Sequence, residues 1–267
     1  MIGLAESTYH YHVKQSDKED PDSEWKDLIT TIFYAENERM GYRGIQDELI
    51  EMGYKINHKK VQRLMRELGL KCTKFTRKSR RYNSYKGPVG TQAKNWLKRR
   101  FFTSVPLQKL VTDVSEFKCS DEKKLYLSPI IDLYSTEVLA FNISNSPTVE
   151  FVMKPLEEAI EIINEHAPFR TTIHSDQGFQ YQNKRWVQAL KDHKIFQSMS
   201  RKRTCADNAA MESFFGILKQ EMYYGEPLKS YGELKQELEE YIYHYNHFRR
   251  KRSLNRLSPV DYRIQTT

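Results

Sequence analysis

Apolar positions recur at three- and four-residue spacing once the chain passes Glu24. Trp25, Leu28, Ile29, Ile32 and Phe33 fall on one face of a predicted helix, and Ile45, Leu49 and Met52 do the same between about Arg43 and Met52. After the turn Gly53-Tyr54-Lys55-Ile56, Asn57 is placed to cap a third helix that buries Val61, Leu64, Met65 and Leu68 and stops at Gly69. Further on the period shortens to that of strands. Leu110 to Phe117, Lys124 to Leu133 and Val138 to Ser144 are runs rich in β-branched and aromatic residues, spaced closely enough for an antiparallel meander. A helix from Thr148 to about His166 follows, carrying Phe151, Val152, Leu156, Ile160 and Ile163. Then come a short strand (Thr171 to His174), a helix (Arg185 to Lys191), a strand (Ile195 to Met199) and a longer helix (Asp207 to Tyr223). Strands first and alternating elements afterwards predict a mixed sheet flanked by helices. A last amphipathic helix, about Tyr231 to Tyr245, leads to a basic tail.

The charge sharpens this division. The formal net charge is +8, but 17 Lys and Arg face a single acid, Glu67, between Lys55 and Lys109, and the rest of the chain holds 26 basic against 34 acidic residues. A basic segment beside an acidic body is expected where one part neutralises phosphates and the other holds cations. The third helix presents Lys59, Lys60, Gln62, Arg63 and Arg66 on the face opposite its apolar stripe, the anatomy of a helix-turn-helix whose second helix enters a major groove. Arg77, Lys78, Arg80 and Arg81 continue the charge into a stretch, 73–105, that reads either as an extended segment tracking a nucleic-acid backbone or as a plain connector. No run approaches the length needed to span a bilayer and no signal-peptide pattern opens the chain, so a cytoplasmic, nucleoid-associated protein is expected. Cys72, Cys119 and Cys205 are too scattered for a disulfide framework or a zinc module.

Three carboxylates stand out against this background. Asp113 lies in the apolar strand Leu-Val-Thr-Asp-Val, where an uncompensated charge is costly to bury. Asp176 follows directly on Thr-Thr-Ile-His, at a carboxyl-terminal strand end, where α/β sheets place their sites. Glu212 sits in the first turns of the helix opening at Asp207-Asn208-Ala209, at the edge of a stripe formed by Met211, Phe215, Leu218 and Met222, with Asn208 and Lys219 within about 40° of it on a helical wheel. As ligands of divalent cations the three make sense together.

With 35 residues between Asp176 and Glu212, the set resembles the DDE transposases and retroviral integrases, and in particular the bacterial insertion-sequence transposases whose second reading frame encodes an integrase-like core. The resemblance rests on GYRGIQDELIEMG, VQRLMRELGL, LVTDVSEF, IIDLYS, HSDQGFQY, SMSRKRTCADNAAMESFFGILKQE and YNHFRRKRSLNRLSPVDYR. It implies a ribonuclease H-like, mixed five-stranded sheet flanked by helices behind an N-terminal all-α helix-turn-helix domain. The expected division is an N-terminal segment 1–23, a helix-turn-helix 24–72, a basic linker 73–105, a catalytic core 106–225, and a C-terminal helix with a basic tail 226–267.

The resemblance further implies a polynucleotidyl transferase in which Asp113, Asp176 and Glu212 are both catalytic and metal-binding, holding two Mg2+ ions with Mn2+ as substitute. Its partners would be double-stranded DNA, as terminal inverted repeats and as target, a second copy of itself, and an upstream-frame product. A catalytically silent DNA-binding regulator is the alternative, and a nuclease of RNA–DNA hybrids a more remote one. Arg201, Lys202 and Arg203 precede the Glu212 helix in a loop suited to phosphate contacts, and Lys219 takes the place of a DNA-contacting base of integrases, or pairs with Glu226 or Asp207. Supporting roles fall to Asp132, as a structural hydrogen-bonding group, and to His174 and Ser175, which orient the Asp176 turn. Glu116 and Asp132 both flank the first strands and could approach the metals. Asn246 and Arg249, in Tyr-Asn-x-x-Arg, brace the core or touch DNA. Two positions depart from the family: Leu110 stands where it usually has Trp, and Lys251 where a His often follows.

Overall fold

The structure is a computed structural model describing residues 20–74, 93–201 and 204–266. The chain divides into two compact units, Met1–Thr76 and Arg77–Thr267. Arg77, Lys78, Arg80, Arg81, Lys202 and Arg203 lie outside the described residues.

In the first unit three helices, α1 (Ser23–Ala35), α2 (Tyr42–Glu51) and α3 (His58–Glu67), bury Ile29, Phe33, Ile45, Leu49, Val61 and Leu64 in one cluster. The periodic positions are the buried ones because each short helix is stable only through the stripe it shares with the other two. The Asn57 side chain accepts the Lys59 backbone N–H at 2.8 Å and so starts α3. Gly53, at φ 89°, makes the turn before it, and Gly69, at φ 68°, ends it. The basic face is partly engaged within the unit. Lys60 and Arg63 each reach Asp22 at 2.6 Å, and Arg63 also reaches Glu67 at 2.6 Å. Lys59, Gln62 and Arg66 are exposed.

The second unit is built on a sheet of six strands: β1 (Lys109–Thr112), β2 (Ser115–Lys118), β3 (Lys124–Asp132), β4 (Val138–Ser144), β5 (Thr172–Ser175) and β6 (Phe196–Met199). Five had been expected, and the sixth arises because the first run is broken. β1 and β2 lie end to end along the same edge of β3, pairing with its C-terminal and N-terminal halves, while β4 covers its other edge. The break falls on Asp113 and Val114. Asp113 is therefore at an interruption rather than in mid-strand, and its own Oδ1 accepts the Val114 N–H at 2.8 Å. β5 pairs parallel with β1, and β6 parallel with β5.

Alternate residues feed opposite faces of the sheet. Leu110, Ile130, Ala140 and Ile173 pack under α4 (Val149–His166) and α5 (Lys184–Asp192), whereas Val111, Phe117, Leu125 and Ile131 pack against the helices from the C-terminal third. The Asp207–Tyr223 stretch, expected as one helix, is three pieces: a 3-10 turn Cys205–Asn208, α6 (Ala209–Leu218) and a π-turn Lys219–Tyr223. The π-turn buries both Glu221 and Met222. α7 (Tyr231–His247), opened by a Ser230/Glu233 capping box, lays Leu234, Leu238, Tyr241, Ile242 and Tyr245 into the same cluster as α6 and the sheet.

Two further expectations change here. The basic tail is folded: α8 (Pro259–Thr266) closes the chain, and Arg263 Nε meets Glu137 at 2.6 Å beside the β3–β4 turn. The end of the 73–105 stretch is packed onto the core, with Leu97 2% exposed.

Candidate active site

β1 and β5 set the centre of the site. Their register pairs Val111 with His174, so Asp113 and Asp176, each two residues further on, leave neighbouring parallel strands at the same end. Asp176 is held by the turn that follows, where Gly178 N–H donates to its Oδ1 at 2.8 Å. A Cβ on Gly178 would come within 2.9 Å of that oxygen, so the turn needs glycine there. Asp113 Oδ2 accepts from the Asn208 side-chain amide at 3.2 Å. Both carboxyls are pushed above the ordinary aspartate range, in the first place by burial. At Asp113 the negative charges of Asp176 and, less strongly, Glu212 add to the rise.

Glu212, one turn into α6, is exposed while its neighbours Met211, Phe214 and Phe215 are buried. Its charge reaches Asp113, but among the described residues no three His, Cys, Asp or Glu side chains are grouped as a metal site. Asp113 and Asp176 form the assembled pair, and Glu212 stands at its margin. The donor set nevertheless fits a hard divalent cation. All three groups are carboxylates, the charge of Asp176 acts on Asp113 more strongly than the opposing charge of Lys219, and the buried Asn208 Oδ1 beside it lacks a hydrogen-bond partner.

The flanking residues divide sharply. Lys219 Nζ donates to the Glu116 carbonyl at 3.1 Å and lies 4.7 Å from the Phe117 ring centroid. Burial lowers its pKa, while Glu116 and Asp113 oppose that. Glu116 itself is exposed and accepts from Lys124 at 3.2 Å and from the Tyr126 hydroxyl at 3.0 Å. Asp132 is opposite Leu110 in the β1–β3 ladder, at the far end of β1 from Asp113, which separates it from the carboxylate pair. It is fully buried, accepts the Tyr134 N–H at 3.2 Å, and burial pushes its pKa up to about 6.

His174 is fully buried between two hydroxyls, with Nδ1 2.8 Å from Ser198 Oγ and Nε2 3.0 Å from Ser200 Oγ. Ser198 Oγ already accepts the N–H groups of Trp96 and Leu97, so its proton goes to Nδ1 and the ring carries its own proton on Nε2. Burial lowers the His174 pKa and keeps the ring neutral. Ser175 Oγ donates to the Asp176 carbonyl at 3.0 Å.

Asn246 both accepts the Val138 N–H at 3.0 Å and donates to the Val138 carbonyl at 2.9 Å, extending β4 sideways onto α7. Arg249 Nη2 meets Glu221 at 2.7 Å inside the π-turn. Two residues were not legible in the sequence. Tyr181, 1% exposed, places its hydroxyl 3.4 Å from Thr112 Oγ1 below the carboxylate pair, whose charges add to the burial that raises its pKa. Asp207, fully buried, gathers Asn95, Arg99 and Arg201 just ahead of Asn208.

Models of the integrase core domain match residues 104–205 and 212–267, and a model of an HTH-like domain matches residues 20–79. The putative transposase InsK for insertion sequence element IS150, from Escherichia coli strain K12, is 43% identical over 98% of this chain and 91% of its own. The chain belongs to the insertion-sequence transposases. A second relative in that family, transposase InsF for insertion sequence IS3A from the same strain, is 32% identical over 88% of this chain and 80% of its own. Among solved structures, the simian T-cell lymphotropic virus intasome in complex with PP2A regulatory subunit B56 gamma aligns over 84% of this chain and 70% of that one, at 15% identity and a TM-score of 0.47. The transposase fold is the mixed sheet flanked by helices expected for a ribonuclease H-like core, with helices of helix-turn-helix type before it. No helix among the described residues is long and apolar enough to cross a membrane.

Proposed function

We propose that this transposase cuts the ends of its insertion element and joins the freed 3′-hydroxyl to a target strand, with Asp113, Asp176 and Glu212 as its metal-binding carboxylates. The observation that carries the reading is the placement of Asp113 and Asp176 side by side off β1 and β5, with Glu212 close enough for its charge to act on Asp113. Two Mg2+ ions, with Mn2+ as substitute, would supply there the activation of the attacking oxygen and the stabilisation of the leaving one. The protein's own part is positional. Asn208 aims Asp113, the Gly178 N–H aims Asp176, and neutral His174 ties the β5 end to the loop carrying Ser198 and Ser200. Glu212 completes the set by turning inward from the edge of α6. Lys219, tethered to the Glu116 carbonyl, offers a cation to the scissile strand.

In this reading α3 enters the major groove of the terminal inverted repeats through Lys59, Gln62 and Arg66, with Lys60 and Arg63 contributing once they leave Asp22. Target DNA, a second copy of the chain and an upstream-frame product complete the assembly, which works in the cytoplasm on the nucleoid. The test is cleavage of labelled terminal-repeat DNA by purified protein with Mg2+ or Mn2+. Activity should vanish in Asp113→Asn, Asp176→Asn and Glu212→Gln while DNA binding persists. Cleavage that survives these changes, or wild-type binding without cleavage under either metal, would defeat the proposal, and the second outcome would favour a regulator.

A further inference from the structure

Between Ala93 and Arg100 the basic stretch is docked at two points ahead of a short turn. Ala93 N–H donates to the Met199 sulfur at 3.5 Å, and Trp96 and Leu97 donate to Ser198 Oγ at 2.9 and 3.3 Å. Within the turn Lys98 and Arg99 both adopt left-handed backbone, at φ 46° and 62°, which non-glycine residues rarely do in succession. Asn95 Oδ1 accepts the Lys98 N–H at 2.8 Å and holds that shape.

What the turn achieves is to bring Arg99 to Asp207. That carboxylate, with no exposed surface, accepts from Arg99 Nε at 2.9 Å, from Arg201 Nε at 2.8 Å and Nη2 at 3.0 Å, and from Asn95 Nδ2 at 2.9 Å. Arg201, and after it Arg99, hold Asp207 well below the usual carboxylate range. One buried anion thus fixes two guanidiniums whose side chains remain 50% and 62% exposed. In front of them opens a cavity of about 510 Å3 lined by Lys94, Asn95, Lys98, Arg99 and Arg201, with no acidic side chain in its wall among the described residues.

We propose that this cavity is a preformed cleft for the phosphodiester backbone of DNA, holding a strand at a fixed offset from the Asp113–Asp176 pair. The proposal rests on the transposase reading for the identity of its ligand. Guanidiniums held in place match phosphate oxygens in pairs, and lysines at the rim add charge without demanding geometry. The offset is set by the chain itself: Asp207, which organises the cleft, is followed directly by Asn208, which bonds Asp113. Leu97 and Trp96, through Ser198, join the cleft to His174 as well.

The experiment uses the full chain and an element-end duplex. Lys94→Gln with Lys98→Gln removes two exposed charges from the cleft, and Lys154→Gln with Lys191→Gln removes two from the outer helices α4 and α5. Affinity is measured across salt concentrations, cleavage at saturating DNA, and melting temperature as a check on folding. The cleft variant should lower the slope of log affinity against log salt by about 1 to 2, since each phosphate contact contributes about 0.9. It should also cut cleavage about tenfold, while the control pair changes neither. Equal slopes and cleavage for the two variants, with wild-type cleavage intact, would overturn the cleft. A slope loss in a wild-type background that never cleaves would support the cleft and count against the transposition reading. Inorganic tripolyphosphate is the second probe: it should compete with DNA for the wild type and fail to do so for the cleft variant, and tight tripolyphosphate binding with an unchanged DNA slope would overturn the DNA assignment.

Discussion

Asn208 donates its side-chain amide to Asp113 Oδ2 at 3.2 Å, bridging the turn ahead of α6 and the break between β1 and β2. The contact orients one carboxylate of the pair from outside it. Groups of this kind behind metal ligands are worth about 10–100-fold in activity or metal affinity. Asn208→Ala is expected to slow single-turnover cleavage by that order with DNA affinity unchanged, and Asn208→Asp to slow it further, because a third negative charge would then face Asp113. Cleavage at the wild-type rate in Asn208→Ala would remove the residue from the site.

Arg249 and Glu221 form an ion pair with side chains only 22% and 6% exposed, and the Tyr241 hydroxyl also donates to Glu221 at 2.7 Å. Removing one partner strands the other, at a cost of about 3–5 kcal/mol, whereas removing both costs much less. Arg249→Met should therefore lose about that much in urea unfolding, and Glu221→Gln with Arg249→Met should recover most of it. The single and double variants unfolding alike would show that the pair is not coupled.

Lys251 is held near Tyr245 and Thr136, its Nζ 2.8 Å from Thr136 Oγ1, and burial, helped by the positive charge of Arg249, lowers its pKa to about 7. Between that value and the ordinary lysine range near 10.5 the folded chain has shed a proton that the unfolded chain keeps. Stability from this residue accordingly rises with pH across that window, by up to about 1.4 kcal/mol per pH unit, and is lowest below pH 7. Denaturant titrations at pH 6.5, 7.5 and 8.5 should show the rise in the wild type and a flatter profile in Lys251→Met. A parallel profile in the variant would place the dependence elsewhere.

On α3 the ion pairs separate residues that look alike in sequence. Lys60 is 2.6 Å from Asp22 and 5.1 Å from the Trp25 ring centroid, while Lys59 and Arg66 are exposed. If α3 binds the terminal repeats, Lys59→Ala and Arg66→Ala should each lower the salt slope by about 1, and Lys60→Ala by less. The reverse ranking, read from binding isotherms at several salt concentrations, would count against Lys59 and Arg66 as the leading groove contacts.

Much of this was written in local pattern. The helix and strand periods place nearly every element, because buried stripes at Ile45, Leu49, Leu64, Leu110 and Ile173 have little freedom to face elsewhere. Asp113 and Asp176 were visible as charges in apolar surroundings, but the break at Asp113 was not, since Val114 and Ser115 continue the run without a turn residue. Asp207 was read as a helix start and as a candidate partner of Lys219, because Asn95 and Arg99, which give it meaning, are more than a hundred residues away in the chain. The π-turn has no propensity signature, and it is the distant Arg249 and Tyr241 that explain why Glu221 turns inward. The folded tail was legible and passed over. Ser258-Pro259-Val260-Asp261 is a helix-start signal, and Ser258 Oγ indeed accepts the Asp261 N–H at 3.2 Å.

The interruption at Asp113 and Val114 also divides the molecule by how easily its backbone opens. β1 is laddered on both sides, to β3 and β5, whereas among the described residues β2 is laddered to β3 alone. Amide protons of β1 should exchange with solvent only in global unfolding, and those of β2 in smaller, more frequent openings. Asp113 stands on that boundary. Its backbone is anchored by two ladders on one side and by one on the other, so motion of the strand beyond it should leave the carboxylate in place.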